Sequence, residues 1–443
     1  MKIFVVMHVF NNFGGIINHN EQLCAGFKEL GHDVTFAYVK PTKTLYKENK
    51  QSIPEGYEIG EGTGVPVHQG KGWIAPFYSM KNSDSIKQFV EDANNHDIVI
   101  WQSVFGFKNS ETEEFTDWIP MIEGVNSKQV VIIHDGNLKK LYSWIYKFQH
   151  KFSGIACVHP SAFKSADFLS VPRNLILNPQ NITKTKKTDF SKKERKLLSI
   201  QTFKRWKRVD DLVFAIPYID GKVIIGGDGI ERNYMTSVDK CKPEYYCTLE
   251  KDPNAIPSMI NKRIWDNALD TKKFEYIGFV TERQRDEILE TCKFLVDPSW
   301  SMNYGEHFNR VVVDSIMTGT VPIARNYGIS DNEQGIGEIF KPNKNYIMIP
   351  HNAKPKEFGE LINESFNMKK FQYEEIVDTN FELLSMFDRR VIAQQYIDLA
   401  FGKNAGVYKE NQIGKDNLSV KKIADKLWEF FEKPQISSIE DFF

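Results

Sequence analysis

The chain has 443 residues, 41% of them hydrophobic and 26% charged, with a formal net charge of -1. That length exceeds what one hydrophobic core supports and fits two domains of ordinary size, and the composition excludes a disordered or fibrous protein. The near-zero net charge neither demands nor excludes a polyanionic partner, because a basic face can be offset elsewhere. The five cysteines (Cys24, Cys157, Cys241, Cys247 and Cys292) are odd in number and lack paired metal-ligand spacing, so a reducing cytoplasm is the simplest home. No apolar run approaches the roughly 18 residues of a membrane span, so stable membrane insertion is not expected. The opening MKIFVVMHVF runs into NNFGG without a small-residue cleavage site and is a first strand, not a signal peptide.

In chain order, Lys2 to Val9 reads as a buried parallel strand and Asn11 to Ile16 as a loop carrying Gly14 and Gly15. Asn18 to Leu30 reads as a helix stopped by Gly31, and His32 to Val39 as a second strand. This β-loop-α-β opening is the unit of a doubly wound α/β domain, with ligands at the carboxyl ends of its strands. Gly14 and Gly15 let backbone approach a phosphate or sugar closely, or simply form a tight turn. Neither they nor Gly227 and Gly229 complete a dinucleotide fingerprint, which argues against a nicotinamide or flavin enzyme. Residues 40–82 are turn-rich, and Trp73, Phe77 and Tyr78 lie there in a loop context, either stacking a base or sugar ring or folding back on their own domain.

Two further strands, DIVIWQSV at 97–104 and KQVVIIHD at 128–135, follow, and the second delivers His134 and Asp135 to a strand terminus, where an α/β protein places chemistry. NLKKLYSWIYKFQHK then reads as a helix with a basic face of Lys140, Lys147 and Lys151 around Trp144. That face is a solvated surface, a nucleic-acid backbone contact or an attachment to an anionic membrane. FSGIACVHPSAF and LILNPQN close a first domain at residues 1–180, and the basic stretch 181–196 reads as an exposed linker.

A second domain, residues 197–356, restarts with strand LLSIQTF and a basic loop containing Arg205 and Lys207. GKVIIGGDG, FEYIGFV and KFLVDPSW are its next strands, with a polar insertion at 230–270 and a helix in TERQRDEILETC. The stretch YGEHFNRVVVDSIMTGTVPIA at 304–324 then joins a loop bearing Glu306 to a short helix bearing Asp314, ended by Gly319 and followed by a buried strand. The helix start offers unpaired N–H groups at His307, Phe308 and Asn309 that suit a diphosphate; Asp314 suits the hydroxyls of a ribose, and Glu306 whatever lies beyond the phosphates. An ordinary buried helix is the plainer reading of the same residues. Residues 357–443 are mainly helical in pattern, partly returning to the first domain, with an amphipathic terminal helix in SVKKIADKLWEFFEK.

Across residues 1–350, the GG after the first strand, GHDVTFAYV, the HD after a strand, WKR, IGFV, DPS and the final acidic pair resemble, in that order, the retaining GT-B glycosyltransferases of the glycogen-synthase and sucrose-synthase superfamily. The resemblance implies two Rossmann-like domains facing each other across a cleft, a UDP-sugar donor and a cytoplasmic enzyme. It further implies diphosphate contacts at Arg205 and Lys207, base contacts from the backbone at Ile277 and Gly278, and a catalytic role for Glu306. The family's second acid is a glutamate where Asp314 stands. No Asp-x-Asp pair occurs, so no obligatory metal is expected; cationic side chains and helix N–H groups would neutralise the leaving diphosphate.

Within that class, GHDVTFAYVK, DIVIWQSV and the HD of VVIIHDGN are similar to the phage DNA α-glucosyltransferases, which act on 5-hydroxymethylcytosine in duplex DNA. That similarity implies double-stranded DNA as the partner, Asp135 as activator of the acceptor hydroxyl, and His134 on the donor sugar. Lys140, Trp144, Lys147 and Lys151 would then touch DNA. Two other readings remain open: transfer to a cell-surface glycan or lipid-linked acceptor, and a non-catalytic nucleic-acid or carbohydrate binder on the same scaffold.

Overall fold

The computed structural model describes residues 1–8, 15–40, 57–59, 66–68, 77–79, 83–102, 119–134, 145–159, 162–163, 166, 169–203, 207–227, 265–299, 310–325, 340–350, 353–403 and 408–409. The chain divides into two units, Met1–Asn181 with Ser385–Phe443, and Ile182–Leu384.

In the first unit the strands are β1 (Lys2–His8), β2 (Asp33–Lys40), β3 (Tyr57–Ile59), β4 (Pro66–His68), β5 (Phe77–Ser79), β6 (Ile98–Gln102), β7 (Lys128–Ile133), β8 (Gly154–Cys157) and β9 (Arg173–Leu175). The helices α1 (Gly15–Glu29), α2 (Ser83–Asn94), α3 (Ile119–Gly124) and α4 (Ile145–Phe148) lie between them. The main sheet runs β9-β8-β7-β6-β1-β2-β5 and is parallel throughout this span, while β3 and β4 form a separate hairpin pair. Parallel strands covered on both faces need near-continuous apolar runs, and Ile98–Gln102 is buried at every position. On one face Phe4, Val6, Val99, Trp101, Val131 and Ile133 join a single core. The Trp101 indole donates to Gln129 Oε1 at 2.8 Å, which removes the cost of burying its N–H.

Three expectations change here. Gly15 is the first residue of α1, not part of the preceding loop. Phe77 and Tyr78 lie in β5, and Tyr78 is buried with its hydroxyl donating to Asp92 at 2.6 Å, so it is a core residue and not a stacking platform. The helix expected over NLKKLYSWIYKFQHK is, in its described part, only the four residues of α4 followed by a 3-10 turn at Gln149–Lys151.

The second unit contains β10 (Glu194–Ile200), β11 (Lys222–Gly226), β12 (Phe274–Gly278), β13 (Cys292–Asp297), β14 (Val321–Arg325) and β15 (Ile347–Ile349) in a parallel sheet of order β12-β11-β10-β13-β14-β15. Its helices are α5 (Val209–Ala215), α6 (Glu282–Thr291), α7 (Arg310–Met317), α8 (Pro355–Phe366) and α9 (Lys370–Leu383). The α6 start carries a capping box, Thr281 and Gln284 each bonding the other's backbone N–H. Residues 181–196, expected as an exposed linker, instead belong largely to this unit. Lys193 is buried and donates to Leu289 O (2.9 Å), Thr318 O (3.0 Å) and Thr320 Oγ1 (2.8 Å). It thereby satisfies carbonyls at the ends of α6 and α7, while burial lowers the pKa of its amine to about 7.

Chain direction then returns to the first unit, where α10 (Arg389–Ala400) packs on α1, with Arg389 bonded to Gln22 at 3.0 Å and ion-paired to Glu29. A last strand, β16 (Tyr408–Lys409), pairs antiparallel with β9. The SVKKIADKLWEFFEK segment and most of the 230–270 insertion lie outside the described residues.

Candidate active site

At the carboxyl edge of the second unit's sheet, backbone groups of three strands are laced together. The Gln201 N–H donates to Gly226 O at 3.1 Å, the Gly227 N–H to Gly278 O at 2.6 Å, and the Tyr276 hydroxyl to Gly227 O at 2.7 Å. Gly227 has φ +114°, and a Cβ there would sit 1.8 Å from Gln201 O, so only glycine permits this approach. Ile277 and Gly278 close β12 beside it. Behind them, Asp297 Oδ1 accepts from Gln201 Nε2 (2.9 Å) and from the Ser299 hydroxyl (2.5 Å), which fixes the DPS turn after β13.

Cations gather at the same edge. Lys207 is buried directly after β10's loop. Next to it, Arg208 adopts a left-handed conformation (φ 49°, ψ 38°) at the cap of α5 and is held by Asp211, with Nη2 to Oδ1 at 2.6 Å and Nε to Oδ2 at 3.1 Å. Arg325, at the end of β14, ion-pairs with the same Asp211 and donates to Pro298 O at 2.9 Å. Burial and the neighbouring Asp211 push the Asp210 carboxyl up, against the pull of Arg208. Arg325 and its pairing with Asp211 carry no sequence signal, since a lone arginine after an apolar strand resembles any surface residue.

Helix α7 is held by packing. Its three valines are each disfavoured in a helix by about 0.5 kcal/mol relative to alanine, whereas burying each contributes about 1.5 kcal/mol or more. Val311, Val312 and Val313 are all buried. The helix ends as expected at Gly319, whose φ of +67° places its N–H on Ile316 O (2.9 Å) and that of Thr320 on Ser315 O (2.9 Å), a Schellman closure. Asp314 is buried, 5% of its side chain being exposed, and its Oδ2 ion-pairs with Arg285 Nη1 of α6 at 2.7 Å. Burial raises its carboxyl above the ordinary range, offset in part by Arg285 and Arg310. Arg285 was missed in the sequence, where ERQRDE reads as a solvated helix face.

In the first unit, His134 directly follows β7 and is packed edge-on against His19, ring centroids 5.0 Å apart. His159 Nε2 donates to His134 O at 2.6 Å while its Nδ1 accepts from the Ala162 N–H at 3.1 Å, so His159 is neutral with the proton on Nε2. Burial, with His19 and His159 adding to it, holds His134 well below the usual histidine range, and it is therefore a neutral imidazole at pH 7.

The remaining expected site residues divide cleanly. Gly14, Asp135, Lys140, Trp144, Arg205, Glu306, His307, Phe308 and Asn309 lie outside the described residues. Lys147 falls in α4. Lys151 is described, and its ammonium donates to Glu123 O at 2.8 Å instead of standing clear of the fold. Among the described residues no group of three or more His, Cys, Asp and Glu is arranged to hold a metal ion.

Residues 180–376 match the family described as Glycosyl transferases group 1. No curated protein sequence matches the chain. Among solved structures, the chain is similar to an α-glucosyltransferase in complex with UDP and a 13-mer DNA containing an HMU base (14% identity, 90% of this chain and 99% of that chain, TM-score 0.58). It is also similar to Anabaena HepE in complex with UDP-glucose (13% identity, 90% and 98% covered, TM-score 0.56). A Staphylococcus aureus TarM variant in complex with fondaparinux, α-GlcNAc-glycerol and UDP is similar too (13% identity, 90% and 99% covered, TM-score 0.56).

Proposed function

We propose that the chain is a nucleotide-sugar-dependent glycosyltransferase, a reading supported by the match of residues 180–376 to Glycosyl transferases group 1 and by the likeness of its fold to glycosyltransferases solved with UDP or UDP-glucose. The chain transfers a sugar from a UDP-sugar, with retention, to the hydroxymethyl group of 5-hydroxymethylcytosine in duplex DNA. The observation that carries the donor half is the carboxyl edge of the second sheet, where Gly227 and Gly278 bring backbone close, Lys207 supplies charge, and Asp314 is buried on α7. In this reading the backbone at Ile277 and Gly278 meets the base, Asp314 accepts from the ribose, and Arg205, Lys207 and the α7 start with His307, Phe308 and Asn309 neutralise the diphosphate. Gly14, Gly15 and His134 are assigned in the same reading to the donor sugar.

Transfer breaks the bond from the anomeric carbon to the phosphate oxygen and forms the bond to the acceptor oxygen on the same face. The acceptor proton passes to the departing diphosphate, with Asp135 polarising the hydroxyl and Glu306 stabilising the sugar as positive charge develops. The acceptor half is supported by the GHDVTFAYVK, DIVIWQSV and VVIIHDGN stretches and by structural similarity to a protein solved with DNA. Lys140, Trp144 and Lys147 are its proposed DNA contacts, Lys151 being engaged by Glu123 O.

Mass spectrometry of modified and unmodified duplex DNA after incubation with a panel of UDP-sugars tests this reading. A hexose or pentose mass added only to hydroxymethylated DNA is expected. No added mass, with transfer instead to a glycan or lipid-linked acceptor, would replace the DNA acceptor by the alternative one.

A further inference from the structure

The first unit contains two buried glutamines in neighbouring strands, and they behave differently. Gln129 uses its whole amide, accepting from Trp101 and donating to Ile122 O (3.2 Å) and Val125 O (2.9 Å). Gln102, the last residue of β6 and 0% exposed, uses neither amide atom. Buried polar groups are nearly always paired, so an amide left wholly unpaired inside a sheet marks a place where a partner belongs.

Gln102 is not isolated. Strand register sets it beside Met7 of β1 and Ile132 of β7, on the opposite face of the sheet from Trp101. On that face Asn20 of α1 is also 0% exposed, anchored by Nδ2 to Met7 Sδ at 3.1 Å, with Oδ1 left without a partner. His134, two residues beyond Ile132, has a buried and unpartnered Nε2. Gln102 at the carboxyl end of β6, His134 just beyond β7 and Asn20 of α1, held against Met7 of β1, thus present unmet hydrogen-bonding capacity at the edge where ligands of open α/β sheets bind.

The chemistry of the set selects its ligand. Asn20 and Gln102 carry no charge, and His134 is held neutral by its surroundings. No cation is among them, so a phosphate or carboxylate would lose its solvation without compensation. A hydroxyl donates and accepts at once, and it matches an acceptor at Asn20 Oδ1 together with both halves of the Gln102 amide. We propose that Gln102 and Asn20, with His134, form a neutral subsite that reads a hydroxyl group of the transferred sugar or of the acceptor. This rests on the glycosyltransferase reading and adds to it two specificity-determining residues.

Gln102→Met removes the amide at nearly constant volume, and Asn20→Leu provides a second, independent perturbation. For each variant, thermal unfolding is measured beside UDP release and sugar transfer. The subsite predicts kcat/KM for transfer about ten- to a hundredfold lower with the melting temperature of Gln102→Met unchanged or raised, because an unpaired buried amide has been removed. If the hydroxyl belongs to the transferred sugar, acceptor-free hydrolysis of the donor falls in parallel, and a donor deoxygenated at the recognised position abolishes the difference between parent and variant. If it belongs to the acceptor, hydrolysis holds and only transfer falls. Folded variants with transfer unchanged would overturn the subsite while leaving the enzyme reading intact. A parent that releases no UDP from any sugar nucleotide would overturn both.

Discussion

Replacing Arg285 by methionine removes the ion pair that ties buried Asp314 to α6 and leaves it the weaker attraction of Arg310. Both side chains are largely enclosed, 14% and 5% exposed, so solvent screens the pair little. Removing one partner of such a pair costs about 3–5 kcal/mol, most of it the penalty of a stranded charge. For a cooperative unit of roughly 200 residues, about 2–4 °C per kcal/mol gives a fall in melting temperature of about 6–20 °C. The pH dependence has a definite sign. Burial already raises the Asp314 pKa in the folded state, so the fold binds this proton more tightly than the unfolded chain does, and stability falls as pH rises through that raised value. Without Arg285 the window moves upward, toward neutrality. Calorimetric unfolding of the parent, Arg285→Met, Asp314→Asn and the double variant between pH 5 and 8 reads all of this. Arg285→Met should lose most stability at pH 8 and recover on acidification, and the double variant should regain part of the loss at pH 8. An Arg285→Met protein with an unchanged melting temperature and a flat pH profile would refute the buried-pair reasoning.

Lys207→Ala should weaken UDP binding about ten- to a hundredfold by isothermal calorimetry, the value of one charge-assisted contact, and unchanged affinity in a folded variant would remove Lys207 from the diphosphate site. His134 has a lowered pKa, so the unfolded chain binds its proton first, and stability should drop by up to about 1.4 kcal/mol per pH unit as pH falls below about 6.5. His134→Gln should flatten that acid limb in thermal unfolding; an unaltered limb would show that other groups cause it. A Lys140→Ala, Lys147→Ala double variant should reduce the salt slope of duplex binding by about one to two units, and an unchanged slope would take those lysines off the DNA surface.

The strands were legible because a parallel sheet covered on both faces demands apolar runs, and KIFVVMH, IVIWQ, KQVVII and VPIAR are such runs. Helix α7 was legible through Gly319 and the following strand, despite valines that propensity alone would reject. Partners distant in sequence were not legible. Arg285 and Asp314 meet across two helices, and nothing periodic in either segment announces it. Lys193 lies in a stretch that looks solvated, yet it is drawn inside by carbonyls about a hundred residues away. β5 was hidden because a three-residue strand among prolines and glycines has no alternation to read. Gln102 was visible only as the polar end of an apolar run, and its unmet amide becomes evident once its neighbours are known.

The most direct test of a UDP-sugar-dependent transferase with Glu306 at its centre is UDP release by the parent and by Glu306→Gln across a panel of UDP-sugars, with UDP affinity measured in parallel. The parent should release UDP, and Glu306→Gln should bind UDP within about twofold of the parent while turning over at least about a hundredfold more slowly, because its partner is the reacting sugar. Absence of UDP release by the parent from every sugar nucleotide, or undiminished turnover in Glu306→Gln, would contradict it.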